Sequence, residues 1–239
     1  MKDIHCHILN GVDDGSKTIE ESICIIKNAI DNGITDIVLT PHYIENSNYN
    51  CTNNNKVYLL NKLKKELKKN NLDINIYLGN EIMITKNIIS LLTKGKASTI
   101  NNTKYVLIEF PLHNELSYIE DIIFELVRNN YIPIIAHPER YNYIQKDISK
   151  IDNYLELGAI LQGNYLSLLG HYGNSAKKTL KKLLKENKIT ILASDIHHDT
   201  TNYRIEKIKK KLKRVIKSKE ITEDLLINNF DKIINNKSL

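Results

Sequence analysis

The chain has 239 residues, 41% of them hydrophobic and 26% charged, which suits a globular protein with a buried core and excludes a disordered or fibrous one. Its net charge of +6 rests on lysine runs such as Lys62, Lys64, Lys65, Lys68 and Lys69, which lack the interleaved aromatics of a nucleic-acid groove, so no nucleic-acid partner is expected. Cys6, Cys24 and Cys51 stand at no disulfide-framework spacing, and there is neither a leader segment nor an apolar run of membrane-spanning length, so a cytoplasmic protein without a membrane span is expected.

Short, β-branched, apolar runs predict strands over residues 2–5, 36–40, 74–78, 105–110, 132–136, 159–162 and 189–193, as buried parallel strands require. Between them lie helical segments. The first starts at Thr18, with Glu21 three residues on as a capping box, and ends near Gly33. The others cover 56–70, 116–129, 148–157, 174–187 and 203–217, and residues 46–55 form an Asn-rich loop. Seven βα repeats with no linker predict one domain over residues 1–239, an α/β fold closed as a distorted TIM-like (β/α)7 barrel.

Each strand ends in polar groups. Asp3-Ile4-His5-Cys6-His7 places His5 and His7 on one side of a strand and Cys6 on the other. Beyond it come Asp13-Asp14-Gly15, then Thr40-Pro41-His42, Gly79-Asn80-Glu81, Glu109, Ala136-His137-Pro138-Glu139-Arg140, Gln162 with Asn164, and Ser194-Asp195-Ile196-His197. In a parallel barrel the C-terminal strand ends converge on one mouth. Buried imidazoles and carboxylates without partners are costly, and divalent cations remove that cost. A mixed His and carboxylate set suits Zn, Mn or Fe rather than Ca, and its size points to two or three ions. No cysteine is followed six positions later by arginine, so a thiol-based phosphatase loop is excluded.

These stretches, together with Tyr105-Val106-Leu107-Ile108-Glu109-Phe110 and Ala193-Ser194-Asp195-Ile196-His197, resemble the PHP (polymerase and histidinol phosphatase) superfamily. Within it the chain is similar to the bacterial capsule and exopolysaccharide tyrosine phosphatases of the CpsB/CapC family over residues 3–197. The resemblance implies three metals. One sits on His5, His7, Glu81 and Asp195; a second shares Glu81 and adds Glu109 and His137; a third uses Asp14, His42 and His197. Asp14 is chosen because it directly precedes Gly15, and Asp13 is left to cap the next helix or orient a ligand. Mn is favoured by the resemblance, with Zn or Fe equally suited to the ligands. Arg140 matches a phosphate-binding arginine, and Arg204 is the nearest match to a second, displaced by residues 198–202. The implied reaction is attack of a metal-bound hydroxide on phosphotyrosine, with His42 or His197 as the acid for the leaving group. The implied substrate is a tyrosine autokinase of capsular or extracellular polysaccharide synthesis. Two rivals stand beside it: a histidinol-phosphate or other small phosphoester phosphatase, and a metal-binding regulatory domain without turnover. His198 and His113 read as solvated residues, and Gly170 and Gly173 as turn residues around a structural His171.

Overall fold

Nine strands, every pair of them parallel, fill seven positions in the computed structural model, which describes residues 1–239. They are β1 (Lys2–Cys6), β2 (Asp36–Leu39), β3 (His42–Tyr43), β4 (Asn75–Leu78), β5 (Glu81–Met83), β6 (Tyr105–Glu109), β7 (Ile132–Ala136), β8 (Ile160–Asn164) and β9 (Ile191–Ala193). One ladder runs β1-β2-β4 and the other β3-β5-β6-β7-β8-β9. Two of the seven expected strands, 36–40 and 74–78, are therefore each followed by a short second strand beyond their expected ends. Pro41 has no N–H to give a ladder, and the amide of Glu81 is shared between the carbonyls of Thr40 (3.4 Å) and Pro41 (3.3 Å). The chain itself carries the sheet across this seam, from β2 into β3 and from β4 into β5. On the opposite side β9 meets β1: Asp195 N–H donates to His5 O and His7 N–H to Ile196 O, both at 2.9 Å. The result is the expected distorted (β/α)7 barrel, with no single ladder running all the way round.

Strand alternation sorts the side chains. Val106 and Ile108 face outward into a 51-residue core beneath the helices. Leu107, Ile134, Ile191 and Ala193 face inward, where Phe230 and Ile233 from the C-terminal segment join them in a 12-residue plug. The same alternation puts Glu109 above Leu107, and Asp195 above Ala193, at the mouth.

The outer helices are α1 (Ile19–Asp31), α2 (Asn53–Lys69), α3 (Ile88–Thr93), α4 (Ile119–Arg128), α5 (Asn142–Lys146), α6 (Lys150–Glu156), α7 (Gly173–Lys185), α8 (Ile205–Val215), α9 (Lys219–Glu223) and α10 (Asn229–Ile234), with a π-helical turn over Asp224–Asn228. Thr18 Oγ1 accepts from Glu21 N–H at 3.2 Å as expected, but Glu21 Oε2 reaches back to the amide of Lys17 rather than that of Thr18. Residues 53–55 belong to α2 and not to the expected loop, because Thr52 Oγ1 caps that helix through Asn55 N–H at 3.3 Å. The segments α3, α5, α9 and α10 had no counterpart among the expected elements.

Candidate metal centre

His5 and His7 point their Nε2 atoms at one spot, 3.1 Å apart. Glu81 Oε2 lies 3.3 Å from each of these nitrogens, and Asp195 Oδ1 lies 3.4 Å from each. A tetrahedral shell of N and O ligands at about 2.0–2.1 Å from a metal has edges of about 3.3–3.4 Å. Four of the five measured edges of this quartet match that figure and the fifth, between the two imidazoles, is slightly shorter, so the four atoms fit a single small cation. The far sides of both rings are held. His5 Nδ1 is 2.8 Å from Gln162 Oε1, and His7 Nδ1 is 2.8 Å from Asp13 Oδ2. Partners of this kind fix the tautomer of a ligating imidazole.

Glu81 serves both sides of the seam. Its Oε2 also lies 3.0 Å from His42 Nδ1, while Oε1 lies 3.1 Å from His137 Nε2. Glu109 completes this second cluster, with Oε1 3.5 Å from His137 Nε2 and Oε2 3.8 Å from His42 Nδ1. In the third cluster, Asp14 Oδ1 stands 3.5 Å from His42 Nε2 and 3.6 Å from His197 Nε2, and His7 borders the same space. The buried atoms Glu81 Oε2, His42 Nδ1 and Asp14 Oδ1 have no hydrogen-bond partner in the protein. Such orphans are rare in native interiors and ask for a ligand. All nine residues named from the sequence thus meet at one mouth. The adjacent carboxylates of the Asp-Asp-Gly turn divide the work: Asp14 faces the third cluster with a half-exposed side chain, while Asp13 is buried. Asp13 also accepts from the amides of Gly15 and His42, each at 2.9 Å.

Charge explains the spacing. Burial disfavours protonated His5, but Glu81 and Asp195 outweigh it and lift its pKa to about 9. Burial also opposes charging of His7, and there Asp13 more than compensates. Burial and the charge of Glu81 push Glu109 up to about 8. Burial and the charge on His7 pull His197 down to about 4. Protons on His5 and His7 would balance the carboxylates here, and divalent cations would displace them. His137 and Asp195 both adopt left-handed backbone, with φ of 33° and 55°. Non-glycine residues are uncommon there and cluster at functional sites.

Arg140 reaches the same mouth. Its Nη1 is 2.5 Å from Asp195 Oδ2, and the guanidinium lies 4.3 Å over the Tyr172 ring. No other protein acceptor meets its side chain, so most of its five N–H groups remain free. Arg204 is placed differently. It precedes α8 in left-handed backbone (φ 52°), is exposed, and has no ion-pair partner and no hydrogen bond to the ligand residues. His198 is also exposed, 3.8 Å from Glu21.

Several supporting residues escaped sequence reasoning. Asp3 accepts from the amide and hydroxyl of Ser194, which fixes the strand end that carries Asp195. Glu139, buried and raised by that burial to about 7, accepts from Asn164 N–H (2.9 Å) and Ser167 Oγ (2.7 Å). It thereby ties the loop bearing Tyr172 to the Arg140 turn. The only available signal was the presence of carboxylates within the motifs, which does not reveal their partners.

A parallel α/β barrel with a histidine–carboxylate cluster at its strand ends defines a metal-dependent hydrolase scaffold. Solved structures agree on the fold: histidinol phosphate phosphatase from Lactococcus lactis has a TM-score of 0.60 at 14% identity, over 90% of this chain and 93% of that one. The chain belongs to the family described as capsular polysaccharide synthesis, CpsB/CapC, whose model matches residues 1–235. It is 40% identical to CapC of Staphylococcus aureus over 200 residues, 84% of this chain and 78% of that protein. It is 35% identical to the tyrosine-protein phosphatase YwqE of Bacillus subtilis over 210 residues, 84% of this chain and 79% of that protein. A crystal structure from the YwqE and CpsB (Streptococcus pneumoniae) pair, described as metal-dependent tyrosine phosphatases, matches with a TM-score of 0.92 at 32% identity, over 100% of this chain and 96% of that one.

Proposed function

We propose that this protein is a metal-dependent protein-tyrosine phosphatase that acts on a phosphorylated tyrosine autokinase in capsular or extracellular polysaccharide synthesis. The observation that carries the reading is the quartet of His5, His7, Glu81 and Asp195, whose donor atoms are spaced as the edges of a metal's coordination shell. The relatives' names supply the substrate class. We assign three metals, Mn by preference, to that quartet, to Glu81 with Glu109 and His137, and to Asp14 with His42 and His197. When bound, the metals supply Lewis acidity towards the phosphoryl oxygens and a nucleophilic oxygen at neutral pH.

The chain's own residues do the rest. Arg140 offers free N–H groups to the equatorial phosphoryl oxygens, where charge builds in the transition state. The Tyr172 ring beneath it keeps the guanidinium plane fixed. Asp13 and Gln162 hold His7 and His5 in one tautomer each. The departing phenolate is a good leaving group that needs little help, and His42 or His197 would supply its proton where the ring is not taken up by a metal. A kinase product made from ATP, and three cysteines that form no disulfide, suit a cytoplasmic setting.

The test is side-by-side kinetics on a phosphotyrosine peptide, a phosphoserine peptide and histidinol phosphate, with metal analysis of the same sample. The expected result is more than one metal per chain, loss of activity on chelation, recovery with Mn, and the highest kcat/KM on phosphotyrosine. A preference for histidinol phosphate would overturn the substrate assignment, and full activity without metal would overturn the site.

A further inference from the structure

The largest share of this protein's positive charge falls in one stretch, apart from the shorter lysine run of α2. Between Gly173 and Lys219 there are fifteen Lys and Arg residues against four Asp and Glu, a net +11; since the whole chain carries +6, the remainder is −5. A general lysine richness of the sequence would not produce this split. The stretch forms α7 and α8, neighbours on the outside of the barrel after β8 and β9, followed by the start of α9. Both helices turn their apolar residues inward, Leu180 and Leu183 from α7 and Ile208 and Leu212 from α8. Their lysines are left outside. Only Lys182, Lys188, Lys209 and Lys219 of the fifteen have a carboxylate partner. Like charges crowded on one face repel one another and call for an anionic partner.

At the end of this face the surface changes character. A groove of about 530 Å³ opens between α8 and the α9–π-helical segment, floored by Ile216, Leu226 and Ile227. Ile227 is 37% exposed, one of few large apolar side chains at the surface. Lys209, Lys213, Lys217 and Lys219 stand around the groove, with Glu223, paired to Lys219, the one carboxylate in its lining. The widened helical turn over Asp224–Asn228 presents Leu226 and Ile227 to it, and such turns recur at functional positions. An apolar floor within a ring of lysines matches an anionic amphiphile, with its acidic headgroup on the ammonium groups and its glycerol and upper acyl region on the isoleucines and leucine.

We propose that the α7–α8 flank and the groove beside α9 form a peripheral docking surface for an anionic phospholipid bilayer. No helix of this chain is long and apolar enough to cross a membrane, so the contact is with the surface. The favourable contribution of each basic group near such a surface adds to that of its neighbours and is screened by salt. A bilayer fits better than a phosphorylated peptide. The lysines are dispersed over two neighbouring helices, which suits a planar, smeared charge. The mouth carrying the metal ligands lies at the C-terminal strand ends, where α7 and α8 begin, and the groove lies past the other end of α8, so docking by this flank leaves the mouth uncovered.

Vesicle co-sedimentation of the full chain tests this. Binding is expected to vesicles of equimolar phosphatidylglycerol and phosphatidylcholine at low salt, not to phosphatidylcholine alone, and is expected to fall steeply as salt rises. Combined Lys210→Gln, Lys213→Gln and Lys217→Gln substitution is expected to weaken binding by about tenfold or more, and Ile227→Gln to remove the part that survives high salt. Hydrolysis of a small aryl phosphate should be unchanged in all these variants, which keeps this test separate from that of the phosphatase assignment. Failure to bind anionic vesicles at low salt would overturn the proposal, as would equal binding by the triple variant. So would a fall in kcat/KM on a phosphotyrosine peptide without vesicles, which would make the face a peptide site.

Discussion

Arg140 Nη1 rests 2.5 Å from Asp195 Oδ2, while Oδ1 of the same carboxylate lies 3.4 Å from both His5 and His7. The Arg140 guanidinium and the two imidazoles therefore share one carboxylate. Removing the guanidinium should leave the ligands in place. Arg140→Ala is expected to keep its metals and lose about 2–4 kcal/mol of transition-state stabilisation, read as kcat/KM on phosphotyrosine. Arg204→Ala should cost clearly less, because Arg204 stands exposed before α8; a larger loss at Arg204 would mean that residues 198–203 fold over the mouth during turnover.

Glu81 touches both principal clusters through separate oxygens. Glu81→Ala is expected to lose metal as well as rate, visible as a drop in metal equivalents after desalting. His198→Ala should stay within about twofold of the parent, since its ring is exposed and outside the cluster. If His198→Ala lost metal while His197→Ala kept it, the assignment of ligands at the end of β9 would be wrong by one residue.

Gly15 is packed beneath a ligand. A Cβ there would fall 2.0 Å from the carbonyl oxygen of His7 and 2.6 Å from its Cβ. Backbone cannot move aside as a flexible side chain can, so Gly15→Ala should destabilise the fold by about 1–3 kcal/mol and weaken metal binding. Thermal unfolding with and without chelator separates the two effects. An unchanged midpoint together with unchanged metal content would show that the turn can shift away.

Lys56 is buried against neutral acceptors only: Asn80 Oδ1, Ser98 Oγ at 2.6 Å and Gly79 O at 3.3 Å. Burial pushes its amine down to about 7. The folded pKa is thus below the ordinary 10.5, so the unfolded chain holds the extra proton between those values and this group adds stability as pH rises through that window. Lys56→Met should be more stable than the parent at pH 7 by about 1–3 kcal/mol, with the gap closing towards pH 10. Urea midpoints at a series of pH values give the comparison. A gap independent of pH would show that the amine stays charged in the fold.

The order of strands, the barrel class and the nine residues of the cluster were all readable in the sequence, because strand-end positions and His or carboxylate identity are local properties. What could not be read depends on partners distant in the chain. Asp14 is separated from Asp13 only by its place before Gly15 in the family pattern, and nothing local shows that Asp13 turns to His7. Gln162 and Asp3 look like ordinary strand polar residues until His5 and Ser194 are seen beside them. The short second strands beyond Pro41 and Asn80 were hidden because each continues in nearly the same direction as the strand before it. The helices after Lys217 were missed because residues 218–239 mix polar and apolar groups without a long period, and their apolar face is defined only by the barrel base that Phe230 and Ile233 fill.

The seam between the two ladders has a consequence for how the molecule opens. His5 and His7 project from the three-stranded side, whereas Glu81, Glu109 and His137 project from the six-stranded side. Ions held jointly by these donors stitch together halves that backbone hydrogen bonds leave separate at this edge. Amide-exchange protection at β3 and β5 should therefore follow metal occupancy more closely than protection at β6 and β7, whose ladder is unbroken. Metal starvation would then act as a loosening of the barrel rim, exposing it to proteases before the interior is disturbed.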